Sequence, residues 1–335
     1  RELLDNASPG EAERALAERL AAGDKSLVLL GQAAMAHPDA ALLRALAAYI
    51  ADASGSALNV ITHGGNSSGA WLTGAVPHRG PGGQAVNTGL YPAAMLASSL
   101  KCYVLWGIEP GFDIDNPSRA VGALNGADSV IAVASFATSG LREFADVILP
   151  LAPQPESEGS MVNFDGDVLT FAAATKAGGE SRPGWKILRR LGGEMGLEGF
   201  DQVSLAGVQS DMQKAFEGHQ PVTGEWDARR PTSSDGLCRI GEMPIYSVDA
   251  LCRRSQPLQE TVHAQSMFLG LNPVDASRLG LADGDRARVG QGDQQAEFDV
   301  RISAVVPEGG AWLRSATCAT RMLGSAMAPI NVEVL

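Results

Sequence analysis

The chain has 335 residues, enough for two domains of ordinary size, and its 45% apolar and 19% charged content supports packed cores and excludes global disorder. Its net charge is −12, and no basic cluster exceeds Arg229-Arg230 or Arg253-Arg254, so it lacks the basic face that a nucleic acid partner requires. The four cysteines, Cys102, Cys238, Cys252 and Cys318, form no CxxC and have no His at ligand spacing, which argues against a zinc site, an Fe–S site or a disulfide framework in this segment.

No apolar run approaches the roughly 18 residues of a membrane-spanning helix, so direct membrane insertion is not expected. The cysteine usage fits a reducing cytoplasm. The opening, RELLDNASPGEAERALAERL, carries no signal pattern and no initiator Met and reads as mid-protein. The expectation is a piece of a longer chain whose N-terminal part holds the redox chemistry.

Ser8-Pro9-Gly10-Glu11 fits a capping box with Pro at the first helical position, opening a helix that runs to about Ala22 and stops at Gly23. Ser26–Leu30 is a short apolar run, as in a strand buried on both faces. Pro38 opens a second helix, with Leu42, Leu43, Leu46 and Ile50 at helical spacing. Leu58–Thr62 reads as the next strand. The glycine-rich stretch His63–Asn87 then reads as one long loop. It holds neither GxGxxG nor GxxxxGK[ST]. Its backbone amides could cradle a phosphate, or it packs as a structural or interface loop. His63 and His78 flank it without a third ligand, and Ser67 and Ser68 lack a GxSxG elbow.

Tyr103–Trp106, Ser129–Val133 and Val147–Leu149 continue the strands. Short apolar strands alternating with helices predict an α/β fold, a doubly wound and mostly parallel sheet with helices on both faces. Cys102, inside an apolar run, reads as a buried, inert thiol. Pro150 ends the third of these strands, and Pro153 and Pro155 keep the chain extended. Gly159, with no Cβ, admits a close partner or ligand, and a hairpin folds at Asp165-Gly166. Such a segment is how an open α/β sheet delivers a loop to the crevice beyond its strand ends. Arg182-Pro183 precedes a helix through Trp185, Ile187, Leu188 and Leu191, ending near Gly192-Gly193. Trp71 and Trp185 read as core or interface anchors.

Residues 201–242 are weakly patterned and read as a linker between an α/β domain, 1–200, and a small β domain, 243–335. In the latter, Asn272 caps a short helix with Pro273 at its first position, and Gly280 ends it. Asp283-Gly284-Asp285 turns into a strand from Arg286. A second strand, Gln295–Ser303, places Ala296, Phe298, Val300 and Ile302 on one face. Pro307–Gly310 turns the chain into Ala311–Arg314, and a closed barrel is expected.

Several phrases carry a family resemblance. FADVILPLAPQPESEGSMVNFDGDV, NSSGAWLTGAVP, LWGIEP, ESRPGWKILRRL, MPIYSVDALCRRSQPLQET and LNPVDASRLGLADGDRARV together span most of residues 26–335. In this order the chain resembles the molybdopterin oxidoreductase (formate dehydrogenase/DMSO reductase) superfamily. Among its branches it looks most like the large iron-sulfur subunit of bacterial respiratory complex I, the 75 kDa-type G subunit of NADH-quinone oxidoreductase. The resemblance implies that the C-terminal barrel is of the double-psi type. It also implies a scaffold role: no catalytic residue or metal ligand in this segment, Fe–S clusters in the missing N-terminal part, molybdopterin lost. Such a segment would support electron transfer from NADH to quinone. Its partners would be the other peripheral-arm subunits, on the cytoplasmic side of the inner membrane.

The resemblance marks Asn66, Gly107, Glu109, Glu158, Gly159, Asn163, Arg253 and Arg254 as the lining of a vestigial cofactor cleft. Asn66 and Asn163 would hydrogen-bond a pterin or purine edge, or satisfy their own turns. Glu109 stands where active relatives often have Asn, and with Glu156 and Glu158 it would repel a pyrophosphate. Arg253 and Arg254 would grip a phosphate or carboxylate, or form an inter-subunit salt bridge. Two rival readings stand beside the scaffold. One is the cofactor-binding half of an active molybdopterin oxidoreductase such as a formate dehydrogenase. The other is a stand-alone assembly module.

Overall fold

A computed structural model describes residues 7–217, 236–265 and 267–335. Arg229-Arg230 and part of the expected linker lie outside the described residues. The chain divides into two compact units. The first holds residues up to Thr88, Ser160–Thr170 and the stretch from Ser210; the second holds Gly89–Gly159, Phe171–Gln209 and the chain from Ser234 onward.

In chain order, the first unit begins with α1 (Glu11–Ala21), β1 (Leu27–Leu30), α2 (Gln32–Ala36), α3 (Ala40–Ser54), β2 (Ala57–Val60) and α4 (Ser67–Leu72). β1 and β2 pair in parallel, with Val28 opposite Leu58. The expected helix over 11–21 forms, but without a capping box. Its N-cap is Gly10, and no side chain caps it, because Ser8 lies two residues too early. Glu11 and Glu13 in its first turn meet the positive end of the helix dipole instead. β1 is not buried on both faces, as Leu27 is 55% exposed. It belongs to a sheet of two strands, and α3 packs on it. The glycine-rich stretch is not structureless. It contains α4, a bridge between Val76 and Arg79, and a 3₁₀ turn at Pro81–Gly83. Trp71, expected as a core or interface anchor, is exposed on α4 with His78 edge-on at 4.8 Å.

The second unit continues with α5 (Pro92–Ala97), β3 (Cys102–Trp106), α6 (Pro110–Asp113), α7 (Pro117–Asn125), β4 (Ser129–Ala134), α8 (Ser139–Arg142) and β5 (Val147–Pro150). The strands form a parallel sheet in the order β3-β4-β5, with Val104 opposite Ile131 and Ile131 opposite Val147. Tyr103, Leu105, Leu124, Val130, Ala132, Ala134 and Leu141 make its core. Burying side chains of this size contributes about 1.5–3 kcal/mol each for the larger ones. Cys102 points away from that core and is exposed, contrary to the reading of an inert buried thiol. The period of two sets this: Tyr103 and Leu105 take the buried face, leaving residue 102 on the other. At the carboxyl edge of the sheet, Gly107–Glu109 leads from β3 into α6 and Ser135–Thr138 leads from β4 into α8.

β6 (Gly159–Val162) and β7 (Val168–Phe171) pair as the expected hairpin, closed at Gly166 with φ +91°. α9 (Gly184–Glu194) and α10 (Leu205–Phe216) follow. Then come β8 (Leu237–Ile240), α11 (Ala250–Arg254), α12 (Gln256–Gln259), α13 (Val262–Gln265), β9 (Leu269–Leu271), α14 (Pro273–Leu279), β10 (Arg286–Gln291), β11 (Gln294–Ile302), β12 (Gly310–Trp312) and β13 (Pro329–Val334). The expected closed barrel forms from six strands, in the order β10-β11-β9-β12-β8-β13. β10 closes the ring by pairing antiparallel with both β11 and β13. The alternation in β11 holds: Phe298 and Val300 enter the barrel core with Leu269, Leu271, Val289 and Leu313. Asn272 caps α14 through Val274 N at 2.9 Å, and Gly280 ends it in the left-handed conformation.

The barrel also buries a cation, Arg239 of β8, at 1% exposure. It donates to the carbonyls of Leu313 (3.3 Å), Gly324 (3.2 Å) and Arg314 (3.0 Å), to Gln291 Oε1 (3.3 Å) and to Ser315 Oγ (3.2 Å). Burial pushes its guanidinium down to about 10, partly offset by the Asp115 carboxylate, so it stays charged at neutral pH. It ties β8 to the chain after β12.

Candidate functional site

The carboxyl edge of an open parallel sheet is where such folds place ligands. Here that edge, within the second unit, is built as follows. β3 ends at Trp106, and Gly107 turns the chain at φ +66°, a conformation suited to glycine, while its N–H donates to Val133 O at 2.8 Å. Glu109 then serves as N-cap of α6, with Pro110 at the first helical position. The Glu109 N–H donates to Asp113 Oδ2 at 2.7 Å, so both carboxylates are fixed by one short turn.

α11 brings two guanidiniums to these acids. Asp249 caps α11 through Cys252 N at 2.8 Å. Gln259 braces the next turn by donating to Tyr246 O at 2.8 Å and Cys252 O at 2.7 Å. Arg253 donates from Nε to Glu109 Oε2 at 3.0 Å and grips Asp113 with both terminal nitrogens, each at 2.9 Å. A further bond reaches Ser247 O at 2.9 Å. Arg254 donates to both oxygens of Glu109 and to Ala250 O at 3.0 Å. The faces of Phe112 and Phe136 lie 5.0 Å and 4.6 Å from Arg253 and Arg254. The side chains of Arg253 and Glu109 are only 8% and 9% exposed. Two positive and two negative charges therefore balance in a water-poor setting, with a bidentate arginine–carboxylate pair at the centre.

This arrangement corrects one expectation and meets one alternative of another. Glu109 does not present a free negative charge to a cleft, because two guanidiniums neutralise it. Arg253 and Arg254 do grip carboxylates, and both acids belong to the same chain. The adjacent Cys252 is half-buried, and its Sγ donates to Asp249 Oδ2 at 3.5 Å. Burial pushes its thiol up, and the neighbouring Asp249 carboxylate adds to the shift.

The remaining predicted residues sit elsewhere. Glu158 is exposed, and Glu156 accepts a bond from Gly178 N at 2.9 Å. Gly159 faces the Phe171 ring: a Cβ there would stand 2.9 Å from Cζ, so the absent side chain is filled by the protein itself. In the first unit, Asn66 Oδ1 accepts from Val162 N at 2.9 Å, tying the start of α4 to β6. Asn163 Oδ1 accepts from Asp167 N at 2.8 Å and closes its own hairpin. Among the described residues, no three His, Cys, Asp or Glu side chains converge as a metal site, and no helix is long and apolar enough to cross a membrane.

Asp113, Phe112, Phe136 and Arg239 were not singled out by sequence reasoning. Arg239 carried a faint signal, a lone charge in the run Leu237–Ile240. The link from Asp113 to Arg253 joins positions 140 apart, and no local pattern signals it.

The family model described as molybdopterin oxidoreductase matches residues 10–194. The G subunit of NADH-quinone oxidoreductase from Streptomyces coelicolor is 25% identical over 251 residues, covering 72% of this chain and 29% of its own length. F420-dependent formate dehydrogenase 1 subunit alpha of Methanococcus maripaludis is 23% identical over 320 residues, covering 76% of this chain and 47% of that relative. Among solved structures, acetylene hydratase from Pelobacter acetylenicus shares the fold, with a TM-score of 0.52 at 16% identity over 78% of this chain and 47% of that one. The chain thus spans less than half the length of each of these relatives.

Proposed function

The chain belongs to the molybdopterin oxidoreductase family, and we propose that within it this segment is the C-terminal scaffold of the G subunit of an NADH-quinone oxidoreductase. In this reading it holds neighbouring subunits and an upstream Fe–S region in place and performs no chemistry itself. Its position is peripheral, on the cytoplasmic side of the membrane that holds the complex. One observation carries the reading: the sheet's carboxyl edge is filled by the chain's own ion pairs. A pterin dinucleotide does not fit the residues found there. Its pyrophosphate needs free cationic or amide donors, and the guanidiniums at this edge already hold Glu109 and Asp113. The family's molybdopterin is accordingly proposed to be lost in this branch, and the electron carriers are Fe–S clusters outside this segment.

The formate dehydrogenase reading keeps a place because that relative covers the chain as fully as the NADH-quinone oxidoreductase relative does. Native gel electrophoresis of solubilised membranes separates the two. The scaffold reading expects the protein in a large assembly that oxidises NADH with a quinone acceptor. It also expects that assembly to fall apart when the segment from residue 243 onward is deleted. Migration with formate-oxidising activity instead would favour the rival.

A further inference from the structure

Arg253 and Arg254 are set up as an anion site. They are adjacent on α11, each lies over an aromatic face, and both meet the loops that follow parallel strands. Arg253 is further held by the Ser247 carbonyl, so its fork is oriented before any acid is considered. What fills the site is unusual in one respect. The two carboxylates come from a single four-residue helix and its cap, Glu109 and Asp113, and the backbone N–H of Glu109 also donates to Asp113 Oδ2. The Asp113 carboxylate is gripped side-on through both oxygens, and Glu109 is shared by both arginines. That is how a doubly charged anion would be received.

We infer that Glu109 and Asp113 act as an internal ligand, closing an arginine site that would otherwise take a divalent anion of the pyrophosphate class. The site's charge is balanced without any outside molecule, so the wild-type edge has no affinity to offer. Removing both carboxylates while keeping their shape leaves two buried guanidiniums without counter-charge, and an external diphosphate then supplies it. This deepens the scaffold reading and rests on its claim that the edge is closed.

The test is calorimetric titration of the full chain with inorganic pyrophosphate, in the wild type and in the Glu109→Gln/Asp113→Asn variant. The wild type is expected to show no saturable binding at roughly millimolar ligand, and the variant to bind at least about tenfold more tightly. Adding Arg253→Met to the variant should abolish the gain. If the double variant folds poorly, refolding in pyrophosphate is compared with refolding in chloride of equal ionic strength. Rescue by pyrophosphate alone supports the inference, and equal rescue by both salts overturns it. Wild-type binding as tight as the variant's, or a folded variant with no gain, also overturns it. Molybdenum in the native protein together with an inert wild-type edge would sink the scaffold reading but leave this one standing.

Discussion

Replacing Arg253 by Met removes the guanidinium at the centre of the buried cluster while keeping much of its apolar stem. Three bonds to carboxylate oxygens disappear, at 2.9–3.0 Å, together with one to the Ser247 carbonyl. Glu109 keeps Arg254, so the acid left without a counter-charge is Asp113, which retains only the Glu109 N–H and whose side chain is 17% exposed. Breaking a buried pair by removing one member costs about 3–5 kcal/mol. Residual access of water to Asp113 places this case at the lower end, about 3 kcal/mol. The same change at Arg254, which is 31% exposed, should cost only about 1 kcal/mol. Adding Asp113→Asn to Arg253→Met removes the stranded charge and should restore about 1–2 kcal/mol, a coupling that a double-mutant cycle reads directly. Urea unfolding, with hydrogen exchange followed across residues 102–113 and 245–260, reports on the second unit itself. A loss below about 0.5 kcal/mol for Arg253→Met, or strict additivity with Asp113→Asn, would refute the claim that this cluster is a buried, mutually dependent network.

Arg239→Met should destabilise the barrel by at least about 3 kcal/mol in urea, because it strands three carbonyls and Gln291. Arg239→Lys keeps the charge but loses the fork, and should recover only part of that. Gly69→Ala places a Cβ 2.1 Å from Asn66 Oδ1 and should break the bond to Val162, a loss of about 1 kcal/mol in thermal unfolding. In an Asn66→Ala background the same substitution should cost nothing further through that contact. In a thiol titration, exposed Cys102 and Cys318 should react first. Cys252 should lag, since a raised pKa leaves less thiolate at any given pH, and its rate–pH curve should lie to the alkaline side. Asp249→Asn should move that curve back toward lower pH.

The parts legible in the sequence were those written in local periodicity. Alternation in Gln295–Ser303 marked the strand, observed at Gln294–Ile302, and its buried face, the Asn272-Pro273 pair and Gly280 bracketed α14, and Asp165-Gly166 announced the hairpin. Elements whose cause lies far along the chain were not legible. β8, β9 and β13 are defined by the ring they close, and three- and four-residue strands such as Leu269–Leu271 have no period of their own. The candidate site divides the same way. Glu109, Arg253 and Arg254 were recognisable as residues in motif positions, whereas their union with Asp113 is a tertiary fact spanning some 140 positions. Its consequence reverses the sign of one argument: an acid expected to repel a ligand is itself held as one. Cys102 failed for a simpler reason, since an apolar neighbourhood in sequence does not say which face a side chain takes.

Metal analysis of the full-length native protein tests the central claim most directly. The account predicts several irons per protein with neither molybdenum nor tungsten, the pattern of a cluster-bearing subunit whose cofactor edge is closed by its own arginines and acids. Near-stoichiometric molybdenum or tungsten would contradict it and make this segment half of a working cofactor site.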